Sequence, residues 1–325
     1  MNYLTIIILF CDKDYQYIPN LLSRIDRKVI CSFEVLLVDN RENYKDIKIP
    51  EIENFKRFHN IKVLSKGYNL CQLAAKKYAL QFARGNYIWL VDGDDEIEDT
   101  VTSYLLNSID TDICVFNYIH NYSPTEDKLV YQEVSRKYQL LDDPEKFQSN
   151  NYVRRVCTTC WNKWFKKDLL DGIFKDVQDD VKVSCNEDVY ILHAALNRSK
   201  SIYEVPLYLY TNYPNRGISA NTKINNIESF KTIFQGYEQS YKLLKKEFPV
   251  NNQLFNFEEK KESDLSYFIK RVSVSEKNLW EEETNILLKY FDKSELLYSI
   301  TDIIKNKRYD SLGNLQELYT FISNI

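Results

Sequence analysis

The sequence predicts an α/β fold, a mostly parallel sheet flanked by helices, followed by a smaller module made only of helices. Three observations carry this prediction. Short apolar runs rich in β-branched residues alternate with helical spacing from Leu4 to Thr100, the pattern of strand–helix–strand units. Three of these runs lead into an aspartate, at Asp12, Asp39 and Asp92, which would bring those acids to the one sheet edge where such folds bind ligands. From about Asn225 the strand pattern stops and only helical spacing remains.

The first strand is read over residues 4–10, and Pro19 opens a helix that reaches Ile25. Residues 33–38 form the second strand and residues 61–64 the third. A helix over residues 70–83 carries Leu73, Lys77, Leu80 and Arg84 at helical spacing. Next comes Tyr87-Ile88-Trp89-Leu90-Val91, an apolar run just after Gly85 that suits a strand buried on both faces. It stops on Asp92-Gly93-Asp94-Asp95. Residues 113–118 read as another strand, residues 129–141 as a hairpin, and residues 156–165 as an aromatic-rich stretch. A helix with an acidic first turn begins at Glu187-Asp188, and residues 202–213 return to strand. Ile227, Phe230, Phe234, Tyr237, Tyr241 and Leu244 then recur at helical spacing up to Pro249, with further amphipathic segments at 263–274, 280–291, 294–305 and 315–325. The expected division is a catalytic domain over residues 1–222 and a helical module over residues 223–325.

Composition narrows the function classes. With 44% hydrophobic and 28% charged residues the chain is an ordinary globular protein. Its 43 basic and 47 acidic residues leave a net charge of −4, which gives a nucleic-acid partner no electrostatic support. Seven cysteines, an odd number set mostly in apolar runs, read as reduced buried thiols of a cytosolic protein. Cys157 and Cys160 lack a second pair or a histidine at zinc spacing. The apolar N-terminus is too short for a membrane span or a signal peptide, and no later run is long enough. The expected location is therefore the cytoplasm, with peripheral contact to a membrane surface left open.

Crowding carboxylates at the end of a buried strand is unfavourable unless positive charge sits there. A divalent cation of hard-oxygen preference, itself bound to a diphosphate, would relieve the repulsion. An acidic turn in water is the other reading of an isolated Asp-x-Asp.

The order of the motifs resembles the inverting family 2 glycosyltransferases of the GT-A fold. The second strand ends on Asp39. A lysine-bearing helix runs into Ala83-Arg84-Gly85-Asn86-Tyr87-Ile88, and a strand ends on Asp92-Gly93-Asp94. Trp161-Asn162-Lys163-Trp164-Phe165 and the helix-opening Glu187-Asp188 match bacterial capsule, lipopolysaccharide and teichoic-acid members. The likeness covers residues 1–220.

That resemblance implies a UDP-sugar donor and a divalent cation, Mn2+ or Mg2+, held by Asp94 and shared with Asp92, which also faces the ribose. It implies that Asp39 accepts the imide N–H of the base and that Asp12 lies in the nucleotide site. Lys76 would contact the diphosphate, unless it is half of a solvated lysine pair with Lys77. Arg216, with Ser219, would belong to a loop that closes over the diphosphate. Asp188 would be the general base and Glu187 its neighbour, and Trp161, Asn162 and Lys163 would border the acceptor or donor sugar. His193 reads as a packed histidine. The acceptor would be a surface glycan or a lipid-linked precursor. The helical module is compatible with membrane docking, a homodimer or a role in holding the acceptor. Two departures touch the nucleotide site: Phe10-Cys11-Asp12-Lys13 replaces the usual Pro-x-Tyr-Asn, and Asn40-Arg41 replaces the usual Asp-Gly.

Three other readings compete. A phosphatase of the haloacid dehalogenase type wants Thr or Val where this chain has Glu96, and wants the acidic strand first. A nucleotidyltransferase would open with a glycine-rich loop, and residues 10–15 contain no glycine. A sugar-nucleotide-binding protein without catalysis would not need to keep Asp94 and Asp188.

Overall fold

The structure is a computed structural model, which describes residues 3–12, 14–41, 61–122, 129–134, 136–156, 159–179, 181–214, 216, 227–250, 254–306 and 314–325. The chain divides into two compact units, Met1–Ala220 with Gly236–Glu247, and Asn221–Gln235 with Phe248–Ile325. The helix over residues 227–247 contributes to both units.

In the first unit the chain order is β1 (Leu4–Phe10), α1 (Ile18–Lys28), β2 (Val29–Ile30), β3 (Phe33–Asp39), β4 (Ile61–Ser65), α2 (Gln72–Leu80) and β5 (Tyr87–Asp92). There follow β6 (Glu96–Ile97), β7 (Val101–Thr102), α3 (Ser103–Asn107), β8 (Ile113–His120), β9 (Leu129–Tyr131) and β10 (Gln139–Leu141). The unit continues with α4 (Pro144–Phe147), α5 (Asn150–Val156), β11 (Lys163–Lys166), α6 (Lys167–Lys175), α7 (Glu187–Arg198) and β12 (Ile202–Asn212), and α8 (Ile227–Glu247) begins beyond it.

The main sheet runs β10-β12-β8-β11-β5-β1-β3-β4. The pairs β1–β3, β1–β5, β3–β4 and β8–β12 are parallel, and β11 is wedged antiparallel between β5 and β8. Leu4, Ile6, Ile8 and Phe10 of β1 pack with Ile18, Leu21, Leu22 and Ile25 of α1. Because side chains alternate along a strand, the equally buried Ile7, Leu36 and Leu90 lie on the other face, and α2 packs against β1 and β3. Trp89, Phe116 and Trp164 fill the middle, with ring centroids 5.5–5.7 Å apart and no exposed surface.

The register decides where the site lies. Phe10 pairs with Asp39, and Leu9 with Asp92, so both aspartates sit at the same carboxyl edge. At the opposite end a buried Glu34 ties the strands together. It accepts hydrogen bonds from Thr5 Oγ1 (2.7 Å), Arg84 N (2.6 Å) and Arg84 Nε (2.8 Å).

One expected element is corrected. Residues 129–141 are not a hairpin, since β9 pairs with β8 and β10 with β12. Just after β9 Glu133 and Val134 are buried, and Val134 N donates to Asn117 Oδ1 at 3.1 Å. Tyr131 stacks on Tyr118 at 5.3 Å, which fixes the β9 pairing.

The second unit is helical, as expected. It holds α9 (Phe257–Val274), α10 (Trp280–Leu287), α11 (Lys293–Lys305) and α12 (Leu315–Asn324). Phe230, Phe234 and Phe268 pack together in its core. Asp292 and Glu295 form a capping box at the start of α11.

Candidate active site

Each acid at the end of β5 has its own environment. Asp95 is buried and accepts from Tyr210 Oη (2.8 Å), Asn212 Nδ2 (3.1 Å) and the Tyr213 amide (2.8 Å). It therefore ties the acidic turn to the end of β12 and is not offered to a ligand. Asp92 and Asp94 are part-buried. Burial, with the charges of Asp94, Asp188 and Glu187 outweighing Lys76, pushes Asp92 up to about 8. Burial, then the nearby Asp95 and Asp14, pushes Asp94 up to about 8. Asp12 is exposed, whereas Asp14 is buried, accepts from the Cys11 amide at 2.9 Å through Oδ2, and keeps Oδ1 buried without a hydrogen-bond partner among the described residues. In that turn it is Asp14 whose charge reaches Asp94. Arg216 is brought to the same corner: it donates to the Asp94 carbonyl at 3.1 Å and lies 3.4 Å over the Tyr213 ring. Ser219 falls outside the described residues.

Asp39 is buried as its position requires, and its carboxylate is already engaged. Arg41 Nε and Nη2 grip Oδ1 and Oδ2 at 2.8 and 2.7 Å, and the guanidinium rests on the Tyr15 ring at 4.9 Å. Such forked pairs are among the stronger charge-assisted contacts.

Lys76 is neither solvated nor half of a lysine pair. It is 4% exposed, and its Nζ donates to Glu187 Oε1 (2.8 Å) and Asp188 Oδ1 (2.9 Å). Lys77 points elsewhere, to Val177 O and Asp179. The other oxygen of Asp188 accepts from the Cys160 amide at 2.9 Å. Burial would raise Asp188, but Lys76 and the Cys160 hydrogen bonds outweigh it and the carboxyl lies below its ordinary value. For Glu187 burial wins over Lys76, and the carboxyl is raised. The two acids are thus split: Asp188 is held ionised, while Glu187 takes a proton more readily.

The backbone entering both helices is unusual. Cys71 precedes α2 at φ 65°, and Asn186 precedes α7 at φ 64°, a left-handed region that non-glycine residues occupy at a cost of order 1–3 kcal/mol. Ser240 Oγ of α8 donates to the Asn186 carbonyl at 3.0 Å and helps hold the second of these turns.

The Trp161-Asn162-Lys163 segment, expected to border the acceptor or donor sugar, is held by protein partners. Asn162 and Lys163 are buried, and their polar atoms are taken by protein partners. Asn162 bonds Phe116 O, Glu133 and Thr159, while Lys163 Nζ donates to Thr159 O (2.8 Å) and Asn162 Oδ1 (2.6 Å). Trp161 stacks on Tyr210 at 4.7 Å and is 5% exposed. Together they fix the turn that presents the Cys160 amide to Asp188. Sequence reading missed Asp14, Tyr210 and Asn212; the last two had a signal, since they lie at the end of a strand. His193 is half-buried, with Nδ1 2.7 Å from Val189 O.

The donor set suits a cation that arrives with a ligand. Among the described residues no group of three or more metal-ligating side chains converges. Burial and neighbouring acids nevertheless disfavour the charged forms of Asp92 and Asp94, which a cation would relieve. Mg2+ and similar ions commonly take one or two carboxylates and complete their shell with phosphate oxygens and water.

Known proteins resemble the chain at both the sequence and the fold level. A cholesterol galactosyltransferase from Borreliella burgdorferi is 25% identical over 303 residues, which cover 89% of this chain and 78% of that protein. The crystal structure of TarS from S. aureus superposes with a TM-score of 0.57 at 16% identity over 99% of this chain. This chain spans 52% of that longer one. A shorter TarS form, residues 1–349 in complex with UDP-GlcNAc, gives a TM-score of 0.56 at 16% identity, covering 100% of this chain and 91% of that one. At these identities the structural likeness speaks for the fold, which is GT-A-like. The model of glycosyl transferase family 2 matches residues 5–174, more than half of the chain and the whole stretch from β1 through the acidic strand end, so the protein is a glycosyltransferase that belongs to family 2.

Proposed function

We propose that this protein transfers a hexose or N-acetylhexosamine, with inversion, from a UDP-sugar to a hydroxyl of a bacterial surface glycan or its lipid-linked precursor. The observation that carries the reading is the juxtaposition of two carboxylate pairs. Asp92 ends β5 and Asp94 follows in the next turn, Glu187 and Asp188 open α7, and the charges of Asp92, Lys76 and Asp188 act on one another. A donor site with a proton acceptor near it is what inverting transfer needs.

Asp188 receives the proton of the acceptor hydroxyl as that oxygen attacks the anomeric carbon opposite the nucleotide. The new C–O bond forms, the bond to the diphosphate breaks, and UDP leaves with the electron pair. A divalent cation, Mn2+ or Mg2+, held by Asp94 and shared with Asp92, would supply charge neutralisation for the leaving diphosphate. Arg216, hydrogen-bonded to the Asp94 carbonyl, adds a fixed positive charge at the same corner. Asp39 supports the base site through Arg41, which it grips and sets against Tyr15.

The likeness to a protein named cholesterol galactosyltransferase supports a lipid or lipid-linked acceptor, and the TarS complex with UDP-GlcNAc supports a UDP-sugar donor. A lipid-linked acceptor would place the enzyme peripherally on the inner face of the cell membrane. Among the described residues no helix is long and apolar enough to cross a membrane. The base assignment is tested with Asp188→Asn. Its affinity for UDP-sugar should stay near wild type while transfer falls by about 10²–10⁴-fold; full activity would remove Asp188 from the role.

A further inference from the structure

Lys76 is buried, 4% exposed, between two carboxylates, and its geometry gives it a definite task. α2 is tied to the segment leading into α7 at three points on one face. Leu73 N donates to Val183 O at 3.1 Å, Lys77 Nζ donates to Val177 O at 2.6 Å, and Lys76 Nζ reaches Glu187 and Asp188. Asp188 is gripped on both oxygens, by Lys76 on Oδ1 and by the Cys160 amide on Oδ2. A carboxylate has about four acceptor positions, so each oxygen keeps room for a substrate hydroxyl while its direction is fixed.

We infer that Lys76 is a positioning residue for the catalytic base: it orients Asp188 and balances the joint charge of Glu187 and Asp188. On this assignment it does not serve as a diphosphate ligand. The inference rests on the glycosyltransfer reading of the site. Lys76 acts through Asp188, touching neither donor nor acceptor. Its long apolar stem is packed in α2, and its ammonium joins two carboxylates 111 and 112 residues away in sequence. Asp92 lies within the reach of its charge, so the same ammonium also moderates the repulsion between the two carboxylate pairs.

The test compares Lys76→Met, Asp188→Asn and the double variant by steady-state transfer, with binding of UDP and Mn2+ measured by calorimetry in each. If wild-type protein turns over no UDP-sugar, the functional reading fails. If it does turn over, Lys76→Met should lower kcat by about 100-fold while donor KM and UDP affinity stay within about threefold. The loss should vanish when Asp188 is already Asn, the mark of two residues acting as one unit. A donor KM and UDP affinity weakened about tenfold or more, with kcat retained, would overturn the inference and give Lys76 to the diphosphate. So would an equal loss of kcat in the wild-type and Asp188→Asn backgrounds. Should Lys76→Met fail to fold, because two carboxylates are left facing each other, Lys76→Met combined with Glu187→Gln removes one charge from each side of the pair. That variant should fold and show the same kcat loss relative to Glu187→Gln alone; retained kcat in it would also overturn the inference.

Discussion

Gly93 is the residue on which the acidic turn depends. A Cβ there would lie 2.7 Å from Phe10 Cβ and 2.9 Å from the Leu9 carbonyl oxygen, and the Gly93 amide already donates to that carbonyl at 2.9 Å. Gly93→Ala should cost about 1–3 kcal/mol of stability as overpacking, seen as a lower denaturant midpoint, and should displace Asp92 and Asp94 enough to weaken UDP–Mn2+ binding. These two acids also make a pH prediction. Both are pushed up to about 8, first by burial, against ordinary values near about 4 in the unfolded chain. Between those limits the metal-free native state holds more protons than the unfolded state, so stability should fall as pH rises through that window. A cation relieves the same repulsion. The rise in Tm caused by Mn2+ should therefore be larger at pH 8 than at pH 6, and a pH-independent rise would contradict the assignment. Asp92 and Asp94 were legible because an apolar strand that stops on acids is a pattern. Asp14 was not, since two aspartates share the turn after β1 and only the fold shows which one is buried. Arg41 was noticed as a departure, but its grip on Asp39 lies in side-chain direction, which spacing does not carry.

Among the elements, the last part of α8 sets the start of α7. A Cβ on Gly236 would lie 2.9 Å from Cys185 Sγ and 3.0 Å from the Cys185 carbonyl oxygen, and one turn on Ser240 bonds the Asn186 carbonyl. Asn186 holds its left-handed backbone there, and Glu187 and Asp188 follow at once. Gly236→Ala should cost about 1–3 kcal/mol and lower kcat more than donor affinity, measured by transfer rate against UDP binding. Equal losses in both would argue for a general loss of packing. Helices and parallel strands were readable from periodicity, because each buries a regular face. The hairpin over residues 129–141 was misread because both halves pair with distant strands, a choice made by Tyr118 and by the β12 edge. The internal partners of Asn162 and Lys163 were not legible either, because side-chain direction is set by the fold and not by spacing.

At the scale of the molecule, the register of the open sheet brings Asp39 and Asp92 to one edge. The helical unit was visible as a change of pattern near residue 225, but the sharing of α8 between the two units was not, because a helix shows no seam in its sequence. The central claim is that the acids at the end of β5 hold a cation and a UDP-sugar. It is tested most directly by UDP release from a panel of sugar nucleotides, with Mn2+ or with a chelator, for wild type and Asp94→Ala. The account predicts release from at least one UDP-sugar that needs the cation and is lost in Asp94→Ala. Release that is indifferent to both chelator and Asp94, or that occurs only from sugars carried on another nucleotide, would contradict it.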